Sequence, residues 1–79
     1  MSSDSVPFKI MKSSEAEAFI LSLLSEHGPM TTMDIEMAAA SGNLRCPDQT
    51  VVFLTRMRMK CLVRGEVSLE RRGWLWSLP

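Results

Sequence analysis

Histidine is nearly missing from this chain, with His27 as its single representative, and cysteine occurs only as Cys46 and Cys61. No Cys/His set stands at zinc spacing and no histidine is paired with a nucleophile, so metal binding and the common hydrolytic chemistries lack their donors. A glycine-rich phosphate loop is absent too. Cys46 at the start of an expected helix has the setting for a lowered thiol pKa, but no second catalytic group accompanies it. No enzyme activity, metal or cofactor is therefore expected. No apolar run reaches the roughly 18 residues of a membrane span. The opening Met1-Ser2-Ser3-Asp4-Ser5 has no basic stretch followed by an apolar one, so no signal peptide is expected and the expected address is cytoplasmic. A disulfide staple is unexpected as well. With residues 47 to 60 helical, the two cysteines lie about 22 Å apart at 1.5 Å per residue, and a disulfide needs Cα atoms within about 7 Å.

What remains is one small domain of 79 residues, near the lower size at which a single core suffices without staples. Formal net charge is zero, but residues 1–44 hold two bases against six acids, and residues 45–79 hold seven bases against three. An uncharged total thus conceals a basic second half, which hints at a nucleic-acid face. A merely solvated surface is the bland alternative.

The chain is organised around a helix expected over residues 47–61. Pro47 suits a first helical position, where its missing N–H is no loss, and Asp48 adds negative charge beside the positive helix end. At 100° per residue, Thr50, Leu54, Met57 and Cys61 form a core stripe with Phe53 on its flank. Gln49, Val52, Thr55, Arg56 and Met59 occupy the opposite side.

An earlier helix is expected to start at the Ser14-x-x-Glu17 capping box. It continues through Ala16, Phe19, Ile20, Leu23 and Leu24 and stops at Gly28-Pro29. Leu21 points away from that stripe, toward solvent or a contact, and His27 reads as a helix-end residue. Met30 bridges to a second capping sequence, Thr31-x-x-Asp34. That helix runs through Ile35, Ala38 and Ala39 to the turn Ser41-Gly42-Asn43, and Leu44 follows as a core residue. Before these helices lies an expected arm, residues 1–12, partly disordered over 1–7. Within it Val6, Phe8 and Ile10 alternate as in a strand, to pack on the body or to add to a partner's sheet; Pro7 limits it to an edge.

After Leu62 a β-hairpin is expected. Val63, Gly65, Val67 and Leu69 share one face, and Arg64, Glu66 and Ser68 share the other. Glu70-Arg71-Arg72-Gly73 makes the turn. Trp74, Trp76 and Leu78 share a face of the return strand, with Trp76 and Leu78 buried and Trp74 partly exposed.

Helix, bridge, helix, turn, helix and hairpin is the order of a winged helix-turn-helix domain, and the wording of residues 14–78 resembles that family. His27-Gly28-Pro29-Met30-Thr31-Thr32-Met33-Asp34-Ile35 resembles its frequent HGPLTTxEL. Thr50-x3-Leu54-x2-Met57-x4-Leu62-Val63 resembles its third helix and first wing strand, VxxxLxxLxxKGLV. Arg72-Gly73-Trp74-x-Trp76-x-Leu78 resembles a return strand. Small domains of this look are common among bacterial, archaeal and phage-encoded regulators. The fold implied is α+β, a three-helix bundle with a C-terminal two-stranded wing over residues 13–79.

The resemblance implies a transcriptional regulator that binds double-stranded DNA, with helix 47–61 in the major groove and the wing, residues 69–74, on the backbone or minor groove. Dimerisation is expected, because one module makes few base contacts. Gln49, Val52, Thr55 and Arg56 are then the base-facing candidates. Glutamine can read adenine, arginine can read guanine, and valine can meet a thymine methyl. Arg45, Arg71 and Arg72 would neutralise phosphates, and Trp74 would lie along the backbone. The chain departs from the family pattern in three ways. Asp48 would repel phosphate. Val52 and Met59 form an outward apolar pair suited to protein contact, so a protein-interaction module using that pair or the Val6–Ile10 arm is the alternative. Cys61 stands where the family prefers glycine, and a positive φ there would cost on the order of 1 kcal/mol.

Overall fold

In a computed structural model of the chain, residues 8–79 are described; the expectations about residues 1–7, Val6 included, lie outside them. The order is β1 (Lys9–Ile10), α1 (Ser13–His27), β2 (Met30–Thr31), α2 (Thr32–Ser41), β3 (Leu44–Arg45), α3 (Thr50–Met59), β4 (Arg64–Ser68) and β5 (Gly73–Ser77). The architecture is α+β, three helices packed with a three-stranded antiparallel sheet.

Helix α1 begins two residues earlier than the Ser14 box requires. Lys12 is its N-cap residue, and the Glu15 carboxylate accepts the Lys12 N–H at 3.0 Å. Glu17, the expected box partner, instead reaches Lys60 beyond α3 at 2.6 Å. Gly28 at φ 78° ends the helix, donating its N–H to the Leu24 carbonyl at 2.9 Å. The buried face is Ala16, Ile20 and Leu24. Leu21 is half-buried against the core rather than turned from it.

The capping sequence of α2 forms as expected. Asp34 N–H donates to Thr31 Oγ1 at 3.1 Å, and Thr31 N–H donates to the Asp34 carboxylate at 3.2 Å, so two orphan donors of the first turn are satisfied. Ile35 and Ala39 face the core, and Asn43 turns the chain at φ 58°.

Helix α3 is shorter than expected, Thr50–Met59 in place of residues 47–61. Leu44–Arg45 is drawn into parallel pairing with β1, with Lys9 N–H to the Asn43 carbonyl and Met11 N–H to the Arg45 carbonyl, both at 2.8 Å. Residues 46–49 are then consumed in turning from that strand into the helix, and Gln49 becomes the N-cap residue. The same pairing fastens the described part of the N-terminal arm to the body. At the far end, Leu62 N–H returns to the Met57 carbonyl and Cys61 N–H to the Arg58 carbonyl, both at 2.9 Å. This is a Schellman closure, with Cys61 in its left-handed position at φ 63°. Cys61 is consequently exposed, outside the core stripe assigned to it. Thr50, Leu54 and Met57 are buried as expected, and Phe53 joins them.

The sheet has three strands, in the order β2-β5-β4, where a two-stranded wing was expected. Met30 pairs with Trp76 and Thr31 with Leu75, so the apolar bridge before α2 is itself a strand. The wing pairs Gly65 with Trp76 and Val67 with Trp74 around a four-residue turn, residues 69–72. Trp76 is the largest fully buried side chain, and its indole N–H donates to Thr32 Oγ1 at 2.9 Å. Gly65 is the residue that admits it, since a Cβ there would lie 2.6 Å from Trp76 Cζ3. Leu78 falls past the last strand residue and is exposed, contrary to expectation. Ile20, Ile35, Leu54, Met57 and Trp76 centre the core. Each such side chain stabilises by about 1.5–3 kcal/mol relative to exposure.

Candidate nucleic-acid interface

The side of α3 turned from the core is open to solvent. Val52, Thr55, Arg56 and Met59 are all exposed on it, with Met59 77% accessible, and Gln49 is exposed at its start. The burial of Thr50, Leu54 and Met57 forces this orientation, because the remaining positions of the turn have nowhere else to point.

Arg56 reaches back along the helix to an ion pair with Asp48. The Thr55 hydroxyl donates to the Val51 carbonyl at 2.7 Å, so its donor is spent within the helix while its lone pairs face water. Arg45 and Gln49 line one groove of about 790 Å³, walled by Phe8 and Ile10 of the arm, Ala39 and Ala40 of α2, and Val51. The Arg45 guanidinium stacks on Phe8, 4.6 Å from the ring centre.

On the wing, Arg71 is paired with Asp34 of α2 at 2.9 Å, and its N–H donates to Ser68 Oγ at 3.2 Å. The wing turn is thereby pinned to the start of α2. Arg72 adopts φ 56° and projects into solvent, and Leu69 beside it is 90% accessible. Trp74 is 37% accessible, matching its expected partial exposure, and stacks on Trp76 with ring centres 5.5 Å apart.

Arg58 joins helix to wing, and it was missing from the residues chosen by sequence. Its guanidinium lies 5.6 Å from the Trp74 ring centre. The Cβ position of Gly65 is 3.3 Å from Arg58 Cδ, so the arginine stem crosses the sheet face at the glycine. The helical wheel carried a signal for this. Arg58 sits about 80° from Thr50, on a flank rather than on the outward stripe, but what occupied that flank depended on the packing of the wing.

The candidate residues therefore fall in two groups. Gln49, Val52, Thr55, Arg56 and Arg45 lie along or just before α3, and Trp74 meets the helix at Arg58. Arg71 and Arg72 sit at the wing turn, where Arg71 is committed to Asp34. Among the described residues, Arg45, Arg58, Arg64 and Arg72 form no ion pair. Hydrogen bonding by the Thr31 backbone, then by its side chain, with a further contribution from Arg71, holds the Asp34 carboxyl below its ordinary pKa. Burial pushes the Cys46 thiol up, in the direction opposite to the one expected from a helix N-terminus. A hydrogen bond with Thr50, the first helical residue, opposes this shift without outweighing burial.

No family model, curated protein or solved structure matches this chain at a significant level. Among the described residues no helix is long and apolar enough to cross a membrane.

Proposed function

We propose that the domain is a winged helix and that it serves as a transcriptional regulator binding double-stranded DNA, with α3 in the major groove and the β4–β5 wing on the backbone. The observation that supports this most is the open side of α3 beside the Arg58–Trp74 contact. A bare helix with Gln49, Val52, Thr55 and Arg56 outward stands next to a hairpin that carries Trp74 and Arg72. Helices of about 10–12 Å diameter fit a major groove of about 12 Å. The basic excess of residues 45–79 agrees in sign. In this reading Gln49 reads base edges, Val52 meets thymine methyls, and Arg45, Arg56, Arg58, Arg71 and Arg72 contact phosphates. A gel-shift with mixed-sequence duplex at several salt concentrations tests it. Binding that weakens steeply with salt is expected, and no shift even at low salt would remove the reading.

A protein-interaction module is the second reading, favoured by the accessible Met33 and Met37 on α2 and Met59 on α3. Methionine surfaces adapt to apolar partners. Light scattering separates a self-associating domain from a monomer, and a monomer that shifts DNA would set this reading aside.

A further inference from the structure

Both arginines placed by sequence at the most informative points of the DNA face, Arg56 on the helix and Arg71 on the wing, are held by carboxylates of the same chain. Resting on the DNA-binding reading above, we propose that Asp48 and Asp34 are internal competitors for phosphate. In the free domain they neutralise Arg56 and Arg71, and duplex binding proceeds by exchanging carboxylate for phosphate at each guanidinium.

The geometry at Asp48 carries the proposal. Asp48 precedes the helix and Arg56 lies almost two turns inside it, yet the two side chains meet. To reach Asp48, the Arg56 side chain must lie back toward the N-terminal end, on the flank that also carries Gln49 and Val52. Its charge is cancelled on the stripe meant to face DNA, and the Asp48 carboxylate holds negative charge there, where a phosphate would also approach. Both partners are solvent-exposed, with side chains 59% and 42% accessible. Pairs so exposed are weak and are screened by salt, so a phosphate can displace the carboxylate.

Asp34 differs in one respect. When Arg71 leaves, its carboxylate still accepts the Thr31 N–H, so α2 keeps its cap while the wing turn is released. Exchange at this pair therefore couples phosphate binding to the position of the wing, whereas exchange at Asp48 frees one side chain only. A domain built this way binds non-cognate duplex less tightly, because the phosphate contacts of Arg56 and Arg71 must each displace an acid, whereas Arg45, Arg58 and Arg72 have none to displace. Favourable base contacts are then needed to tip the exchange.

The test is fluorescence anisotropy with a labelled mixed-sequence DNA duplex at a series of salt concentrations. It uses the full chain, Asp48→Asn, Arg56→Met and the double variant. Asp48→Asn is expected to tighten binding about two- to fivefold at low salt and to make binding more salt-sensitive, because the Arg56 phosphate contact no longer has a carboxylate to displace. In the Arg56→Met background the same substitution is expected to change neither. Asp48→Glu, which can restore the pair, is expected to behave like the parent. Equal tightening with and without Arg56 would make Asp48 a general charge effect and overturn the proposal. Weaker binding by Asp48→Asn would also overturn it, since Asp48 would then be positioning Arg56 for DNA. Duplex binding by the parent with either result keeps the DNA reading while the exchange fails. If neither parent nor Asp48→Asn binds at low salt, both fall together.

Discussion

Replacing Gly65 with alanine tests the packing that joins wing to helix. An added Cβ would lie 2.6 Å from Trp76 Cζ3, 2.8 Å from Cε3 and 3.3 Å from Arg58 Cδ. Ordinary carbon contacts begin near 3.5 Å, so the indole must retreat by close to 1 Å. It has little room: Trp76 is 1% accessible, hydrogen-bonded to Thr32 and stacked on Trp74. Overpacking of this kind costs about 1–3 kcal/mol, which for a domain of this size lowers Tm by about 4–8 °C per kcal/mol. Gly73→Ala is the internal control, on the partner strand with nothing within 4 Å of its Cβ position. Removing glycine there is expected to be neutral or to stabilise slightly through the unfolded chain. Thermal unfolding followed by tryptophan fluorescence reads both variants. A Gly65→Ala variant as stable as the parent would refute the register that sets Gly65 opposite Trp76.

Cys61→Gly should raise stability by up to about 1 kcal/mol, because the residue occupies the left-handed position of the α3 closure; urea titration of parent and variant checks this, and a loss would contradict the closure. Leu54→Ala should cost about 2–5 kcal/mol, the range for a large aliphatic removed from a packed core, measured by the same titration. For pH, Asp34 and Glu15 both have folded pKa values below the ordinary carboxylate value. Their stabilisation is therefore present above about pH 4, where the unfolded groups ionise, and is lost as pH falls through the lower folded values. Asp34→Asn should flatten the acid limb of the stability–pH curve, and an unchanged limb would contradict the role given to its hydrogen bonds.

The fold was legible where a local pattern and its partner lie within one turn. Thr31 and Asp34 are three residues apart and cap α2 as their spacing implies, and the stripe Thr50, Leu54, Met57 is buried as its period demands. It was illegible where a distant segment decided. The start of α1 was read from Ser14 and Glu17, but the frame that holds uses Lys12 and Glu15, and it is accompanied by long-range pairing of Glu17 with Lys60. The two-residue strands β2 and β3 are too short to show any alternation and exist through their partners alone, whereas β1 lies in the arm whose alternation at Phe8 and Ile10 was read as a strand. The start of α3 moved for the same reason, since the pairing of β3 leaves Pro47 in the turn from that strand into the helix. At the candidate site, composition exposed the basic half but concealed its internal neutralisation. Asp34 and Arg71 are 37 positions apart in the chain, and only the packed wing brings them together.

An amide-shift titration of the labelled domain with mixed-sequence duplex at low salt tests the central claim most directly. The account predicts shifts concentrated in residues 45–58 and 70–74, with Gln49, Arg56, Arg58 and Arg72 among the largest. Absence of shifts, or shifts gathered on the Met33–Met37 face of α2 instead, would contradict it.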